Sequence, residues 1–434
     1  MSKLNIVLRA ICRLIITAAF WIASRLFFTI EVHGVAYDTK APRSYIALLH
    51  RRDLDPIITI PTVLSHRGWR AWAGDVHFAL RSDAFSPGYL SHLVQHPRWF
   101  AHLLHPISLR SVLPWLGANP VEHLLIRPIE EWIRELLSTE GDMRGGDALS
   151  PIIIQALATA TSEPAQHIEE LPISRLLSWR YESIIRRAYG PEVLIGPIRR
   201  RAEQRLLKMA KQHLSELSEW LAGGGSLYGA PEGRLSPDGK LGPVTASLHR
   251  VLRAAPADTR IVPMAMTYDF MTVRRLHIFV DFAPAIEYAP TLLTHDLDVQ
   301  LRTAWLRSAH FTCTQLGSSF LIQRSHSGAL AFTVDDLVRE LKRQATDLVA
   351  AGRHVDARLL GSRDVCNVAE GFLAYALRHG LVRRVDSHKW VSIAQEERVE
   401  VWPGEVGYDQ MPLSYALNEL QEMLSVDMIE DTHN

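Results

Sequence analysis

A histidine with a carboxylate a few residues downstream can form a general base. The carboxylate accepts one ring N–H and fixes the tautomer, and the other nitrogen is left to take a proton from a hydroxyl. The 434-residue chain has this spacing at His50 and Asp55, in LLHRRDLDP, and again at His33 and Asp38, in EVHGVAYD. With 20 histidines, and Asp at about one residue in twenty, roughly one such match arises by chance. His33 is followed at once by Gly34, whereas His50 ends an unbroken apolar run, SYIALLH (44–50), that reads as a buried strand. We therefore take His50 as the candidate base and Asp55 as its orienting carboxylate, and His33 with Asp38 as the chance copy. No Ser or Cys stands beside His50 as a nucleophile, and the chain has no G-x-S-x-G elbow. The expected chemistry is activation of an acceptor hydroxyl, without a covalent intermediate on the enzyme.

Positioning such a pair takes strands and helices in alternation. Strand candidates are TIEVHGV (29–35), residues 44–50, RAWAG (70–74), 226–230, 261–266 and 276–282. A helix over 201–221 follows from Leu206, Ala210, Leu214, Leu217 and Leu221 on one face, and Gly223-Gly224-Gly225 ends it. No G-K-[ST] follows those glycines, so they are a helix stop and not a phosphate loop. The order is that of an α/β domain. It covers residues 31–295, with an insertion at about 124–192, and a mostly helical region follows over 296–434. Within that region, 364–391 reads as a helix, a stop at Gly380 and a β-hairpin, a small winged-helix-like unit that packs on the catalytic domain or a partner.

Lys+Arg and Asp+Glu are both 47, so the formal charge is zero and nucleic acid is not expected as a partner. The three cysteines, Cys12, Cys313 and Cys366, are far apart, as in a reducing compartment. His92, His96, His102 and His105 have helix-compatible spacings but no His-Glu-x-x-His, so no metal is expected. The stretch from Trp69 to Trp132 is rich in tryptophan and suits a core or a lipid surface. In residues 1–30, Asn5, Arg9, Arg13 and Thr17 make one polar stripe on an otherwise apolar helix. The uncharged core from Leu14 to Ser24 is short of the roughly 18–20 residues that span hydrocarbon, so the helix is expected to lie in a membrane interface.

Residues 223–243, GGGSLYGAPEGRLSPDGKLGP, run from helix end through strand to a Pro-Glu-Gly turn and a Gly-rich loop. Together with HRRDLDP they resemble the glycerolipid acyltransferases, the superfamily of 1-acylglycerol-3-phosphate and glycerol-3-phosphate acyltransferases. The family's His-x4-Asp block is matched by His50 and Asp55, and its Pro-Glu-Gly-Thr-Arg-Ser block by Pro231, Glu232, Gly233 and Ser236. Its Gly-x-x-Gly-Pro is similar to Gly239–Pro243, and its apolar strand with a central proline resembles IVPMAM (261–266). The family's Thr-Arg is Arg234-Leu235 here, so the phosphate-binding arginine is displaced by one position. The family's second block, a glycine, a short strand and an arginine, can be placed at LPWLGANPVEH (113–123), with His123 in the arginine's position. It can also be placed at VLIGPIRRR (193–201), with Arg199, Arg200 and Arg201. Arg127 is a third candidate.

The resemblance implies a mixed sheet flanked by helices and an O-acyltransferase at the cytoplasmic face of a membrane, peripheral or monotopic. Its donor would be acyl-CoA or acyl-carrier protein, and its acceptor a lysolipid, best 1-acylglycerol 3-phosphate, in phospholipid biosynthesis. Its partners are membrane lipids, and it needs no cofactor. Glu232, Gly233 and Arg234 would shape the acceptor site. A glycolipid or other lysolipid is the enzymatic alternative. A non-catalytic lipid-binding or scaffold protein of the same fold is the alternative from another class.

Overall fold

The computed structural model describes residues 3–34, 43–52, 54–67, 76–81, 108–121, 127–233, 235–236, 238–386, 389–393 and 411–431. The expected strand at 70–74, the histidines at 92–105, Asp38, His123 and Arg234 lie outside them. The fold is α/β. Its main sheet runs β1 (Phe28–Gly34), β9 (Leu276–Phe282), β8 (Arg260–Asp269), β2 (Ser44–Leu48), β7 (Ser226–Gly229), β3 (Val76–Arg81) and β4 (Ala118–Val121), with β10 (Ile286–Glu287) added on β8. From β8 through β2, β7 and β3 to β4 the pairing is parallel, whereas β9 is antiparallel to β8 and parallel to β1. The sheet is therefore mixed and flanked by helices.

β2 and β7 are buried at every residue, as continuous apolar runs demand when both faces of a strand are covered. Helix α1 (Lys3–Phe27) packs on α2 (Asp55–Arg67), and Trp305, on the helix Thr294–Ser308, donates its indole N–H to Ala47 O of β2 at 2.9 Å. The segment expected as an insertion pairs β5 (Arg127–Pro128) with β6 (Ala188–Tyr189) and carries its own apolar cluster, from Ile129 to Leu206, separate from the core around the sheet. The region after residue 296 shares the sheet's core: Leu337, Phe372 and Leu420 belong to one cluster with Ile46 and Val262.

The predicted helix over 201–221 is longer than expected, Gly196–Ala222, because Pro197 in its first turn is a favoured helix start. This corrects one placement. Residues 196–201 are helical and supply no short strand. A glycine followed by a short strand occurs instead at Gly117 (φ +78°) and β4, which pairs with β3. The helix and hairpin expected at 364–391 lie within a longer run of elements. A helix (Cys313–His326), β11 (Ala331–Thr333), two helices (Val334–Ala350 and Ser362–Arg378) and the strands β12 (Val382–Arg384) and β13 (Lys389–Ser392) follow in order, and the sheet order is β11-β13-β12. The helix Ser362–Arg378 turns Gly371 onto Thr272 and Arg274 of the β8–β9 turn, so it docks inside the molecule.

α1 has the opposite polarity to a helix on a soluble core. Arg13, Thr17 and Ser24 are buried, while Ile15, Ile22, Leu26 and Phe27 face outward, the last two 69% exposed. Arg13 donates to Val76 O at 2.9 Å, and Arg25 to Ile30 O at 2.6 Å. The segment Ala10–Phe27 is by length and composition apolar enough to cross a membrane, a criterion that Leu14–Ser24 alone does not meet. β1 is antiparallel to β2, so α1 ends, and β1 begins, at the end of the sheet where β2 ends.

Candidate active site

Two neighbouring parallel strands, β2 and β7, end side by side, and ligands of open α/β sheets bind beyond such carboxyl ends. His50 follows β2, and the Pro231–Glu232–Gly233 turn follows β7. The polar run HRRDLD stops β2, and Asp55 opens α2. One oxygen of Asp55, Oδ2, accepts from His50 Nδ1 at 2.8 Å, from Arg51 N–H at 2.6 Å and from Arg52 N–H at 3.0 Å. The other, Oδ1, accepts from the Tyr268 hydroxyl. Four donors thus fix a fully buried carboxylate, which in turn fixes the His50 ring with Nε2 as the nitrogen that can accept a proton. Arg52 lies over the rings of Tyr268 and Phe270, 4.8 Å from each centroid.

Opposite, Gly233 closes its turn on Ala230 O at 3.1 Å with φ +71°, a conformation that favours glycine. Thr245 pins the turn by donating its N–H and its hydroxyl to Pro231 O, both at 2.8 Å. Glu232 is buried. Its Oε1 accepts from Gly242 N–H at 2.8 Å, and its Oε2 has no hydrogen-bond partner. Burial pushes this carboxyl up to about 7, although Arg51, the Gly242 N–H and His50 all pull it down. Ser236 accepts the Gly239 N–H at 2.8 Å and so shapes the Gly-rich loop. Arg51 is buried between the two loops. Its guanidinium donates to Gly239 O at 3.1 Å and lies 3.6 Å from Glu419. Burial alone would lower its pKa, but the surrounding Glu419, Tyr415, Glu232 and Asp55 outweigh that and raise it.

The structure thus brings together His50, Asp55, Glu232 and Gly233. It does not bring the three arginines to them. Arg199 pairs with Glu203 at 2.9 Å and Arg201 with Glu140 at 2.9 Å, and Arg200 is exposed. They occupy the start of the Gly196–Ala222 helix, where Ile198 and Ala202 belong to the insertion's cluster. At about 1.5 Å per residue, Arg201 lies some 30 Å along the axis from the helix end that leads into β7, and Arg199 farther.

Three residues of the site escape sequence reasoning. Tyr268 reads as one more apolar strand position. Arg51 reads as a surface arginine next to a motif, and Glu419 as a polar residue on a C-terminal helix. A second buried pair also emerges, His310 Nδ1 with Asp281 at 2.9–3.0 Å, from residues 29 apart that no local spacing reveals. His310 stacks on Phe279 and lies 4.6 Å from the His33 ring. His33 itself contacts Glu31 at 3.2 Å. Among the described residues no group of three or more His, Cys, Asp or Glu is arranged to hold a metal ion. No protein-family model and no curated protein sequence matches the chain.

Proposed function

We propose that the protein is a membrane-associated O-acyltransferase that moves a fatty acyl group from a thioester, acyl-CoA or acyl-carrier protein, to a lysolipid hydroxyl. The observation that carries this reading is the buried His50–Asp55 pair facing the Pro231–Gly233 turn across the ends of β2 and β7. His50 Nε2 takes the acceptor's hydroxyl proton as its oxygen attacks the thioester carbonyl. The tetrahedral intermediate expels the thiolate, and protonated His50 returns the proton to sulfur. Glu232, with one buried oxygen free and a raised pKa, suits a hydrogen bond to the acceptor. The best acceptor is 1-acylglycerol 3-phosphate, which gives the protein a role in phospholipid biosynthesis.

The outward apolar face of α1 supports a monotopic attachment, with the helix lying in one leaflet and Arg13, Thr17 and Ser24 kept on the protein. Its last turn is at the same end of the sheet as His50, so acceptor can enter from that leaflet. A cytoplasmic face fits a soluble thioester donor and the sparse, unpaired cysteines. The test is to incubate the protein, bound to phospholipid vesicles, with labelled acyl-CoA or acyl-carrier protein and a panel of lysolipids. Label in a two-chain lipid supports the reading, strongest for 1-acylglycerol 3-phosphate. Release of free fatty acid alone, or no turnover with any acceptor, refutes it.

A further inference from the structure

The region after residue 296 has no counterpart in the motifs around His50, yet its last described helix (Pro412–Asp431) reaches the site. Glu419 on that helix is 7% exposed. One of its oxygens lies 3.6 Å from Arg51 Nε, and the other accepts from Gln315 at 3.0 Å. One turn of the same surface contacts the Gly-rich loop. Asn418 donates to Asp238 O at 2.8 Å, and a Cβ at Gly239 would fall 2.3 Å from Tyr415 O. Arg51 joins the two contacts, because its guanidinium reaches both Glu419 and Gly239 while its own N–H holds Asp55 at 2.6 Å. The chain of contacts therefore runs Gln315, Glu419, Arg51, Asp55, His50, and it links the C-terminal helix to the base.

We infer that Glu419 is a positioning residue of the acyl-transfer site, acting through Arg51 to hold the His50–Asp55 loop and the Gly-rich loop in register. This rests on the acyltransferase reading for its kinetic consequence, but not for its structural one. Glu419 touches no reacting atom, so its loss affects the placement of the base and not substrate uptake. A misplacement of about 1 Å at a reacting centre can cost on the order of 100-fold in rate.

The test uses the full chain with Glu419→Gln, which keeps the shape and an acceptor for Gln315 but removes the charge facing Arg51. Glu419→Asp serves as the conservative variant. Two readouts are taken. The first is kcat and KM for acyl-CoA and 1-acylglycerol 3-phosphate. The second is the proton NMR signal of His50 Nδ1–H in protein labelled with 15N-histidine, assigned by its loss in His50→Gln. The inference predicts that Glu419→Gln lowers kcat about tenfold or more, with both KM values within about twofold. It also predicts that the Nδ1–H signal shifts or exchanges away, and that Glu419→Asp recovers part of both. Wild-type kcat together with an unchanged signal overturns it. If the wild type transfers no acyl group, the acyltransferase reading has failed. The NMR arm then still decides whether Glu419 holds the pair, and an unmoved signal refutes the inference.

Discussion

Among the described residues, two buried histidine–aspartate pairs have nearly the same geometry, His50–Asp55 at 2.8 Å and His310–Asp281 at 2.9–3.0 Å. The first stands where parallel strands end. Its aspartate is held by two backbone N–H groups and a tyrosine hydroxyl, and a glycine turn with a half-satisfied carboxyl lies across from it. The second lies beside an antiparallel pair of strands, against the Phe279 ring and between the His33 and His354 rings. There burial raises the Asp281 carboxyl against the pull of His310, His33 and His354, and burial together with the neighbouring His310 and His33 lowers His354. The two pairs share a hydrogen bond and differ in everything that would receive a substrate. The surroundings, and not the pair, mark a site.

Substituting the two aspartates should separate the pairs most widely. Asp55→Asn leaves the shape but loses the carboxylate that orients His50, and turnover should fall about 10²–10⁴-fold. Asp281→Asn should leave turnover within about threefold and lower the melting temperature, because a buried histidine loses its partner. Comparable losses of activity in both variants would end the distinction.

Membrane attachment should respond next. Ile15→Lys with Ile22→Lys places charges on the outward face of α1 and leaves Arg13 and its carbonyl partners in place. The protein should move from vesicles to solution in a flotation assay, since charges in hydrocarbon are costly. Retention at wild-type levels would remove α1 as the lipid contact.

Glu232 predicts a dependence of stability on pH. Its carboxyl is raised from an ordinary 4.5 to about 7, so the folded protein holds that proton more tightly than the unfolded chain. The stabilisation is complete below the unfolded value and is lost as pH rises through about 7, on the order of 3 kcal/mol in all. Glu232→Gln should flatten the decline in melting temperature between about pH 5 and about pH 8. An unchanged slope would mean that Glu232 is charged in the folded state across that range.

The smallest effects are expected from Arg199→Ala, Arg200→Ala and Arg201→Ala. Arg199 and Arg201 already face Glu203 and Glu140, far along the helix from β7, so acceptor KM should change less than about threefold. A rise of about tenfold or more in any of them would return the acceptor's phosphate to this helix.

What was legible in the sequence was local. His50 and Asp55 are five residues apart, and the apolar run before them and the proline–glutamate–glycine turn are contiguous stretches, so short-range pattern exposes them. Tyr268 and Glu419 reach the same site from 213 and more residues away, and neither is unusual for the element that carries it. The stripe on α1 was visible as a 3.6-residue pattern, but periodicity alone does not say which face meets protein. The arginines at 199–201 misled for a different reason. A glycine followed by apolar and basic residues suits a strand or a helix start equally, and Pro197 decided for the helix. A glycine followed by a short strand is found at Gly117–Val121, within the other expected placement.

The central claim is that acyl transfer occurs at His50 and not merely near a buried histidine. The most direct measurement is the rate of label transfer from acyl-CoA to 1-acylglycerol 3-phosphate by vesicle-bound wild type, His50→Ala and His310→Ala, side by side. The account predicts a two-chain product from the wild type and from His310→Ala at similar rates, and a loss of about 10²–10⁴-fold in His50→Ala with its fold retained. Transfer by His50→Ala at the wild-type rate, or no transfer by the wild type, would contradict it.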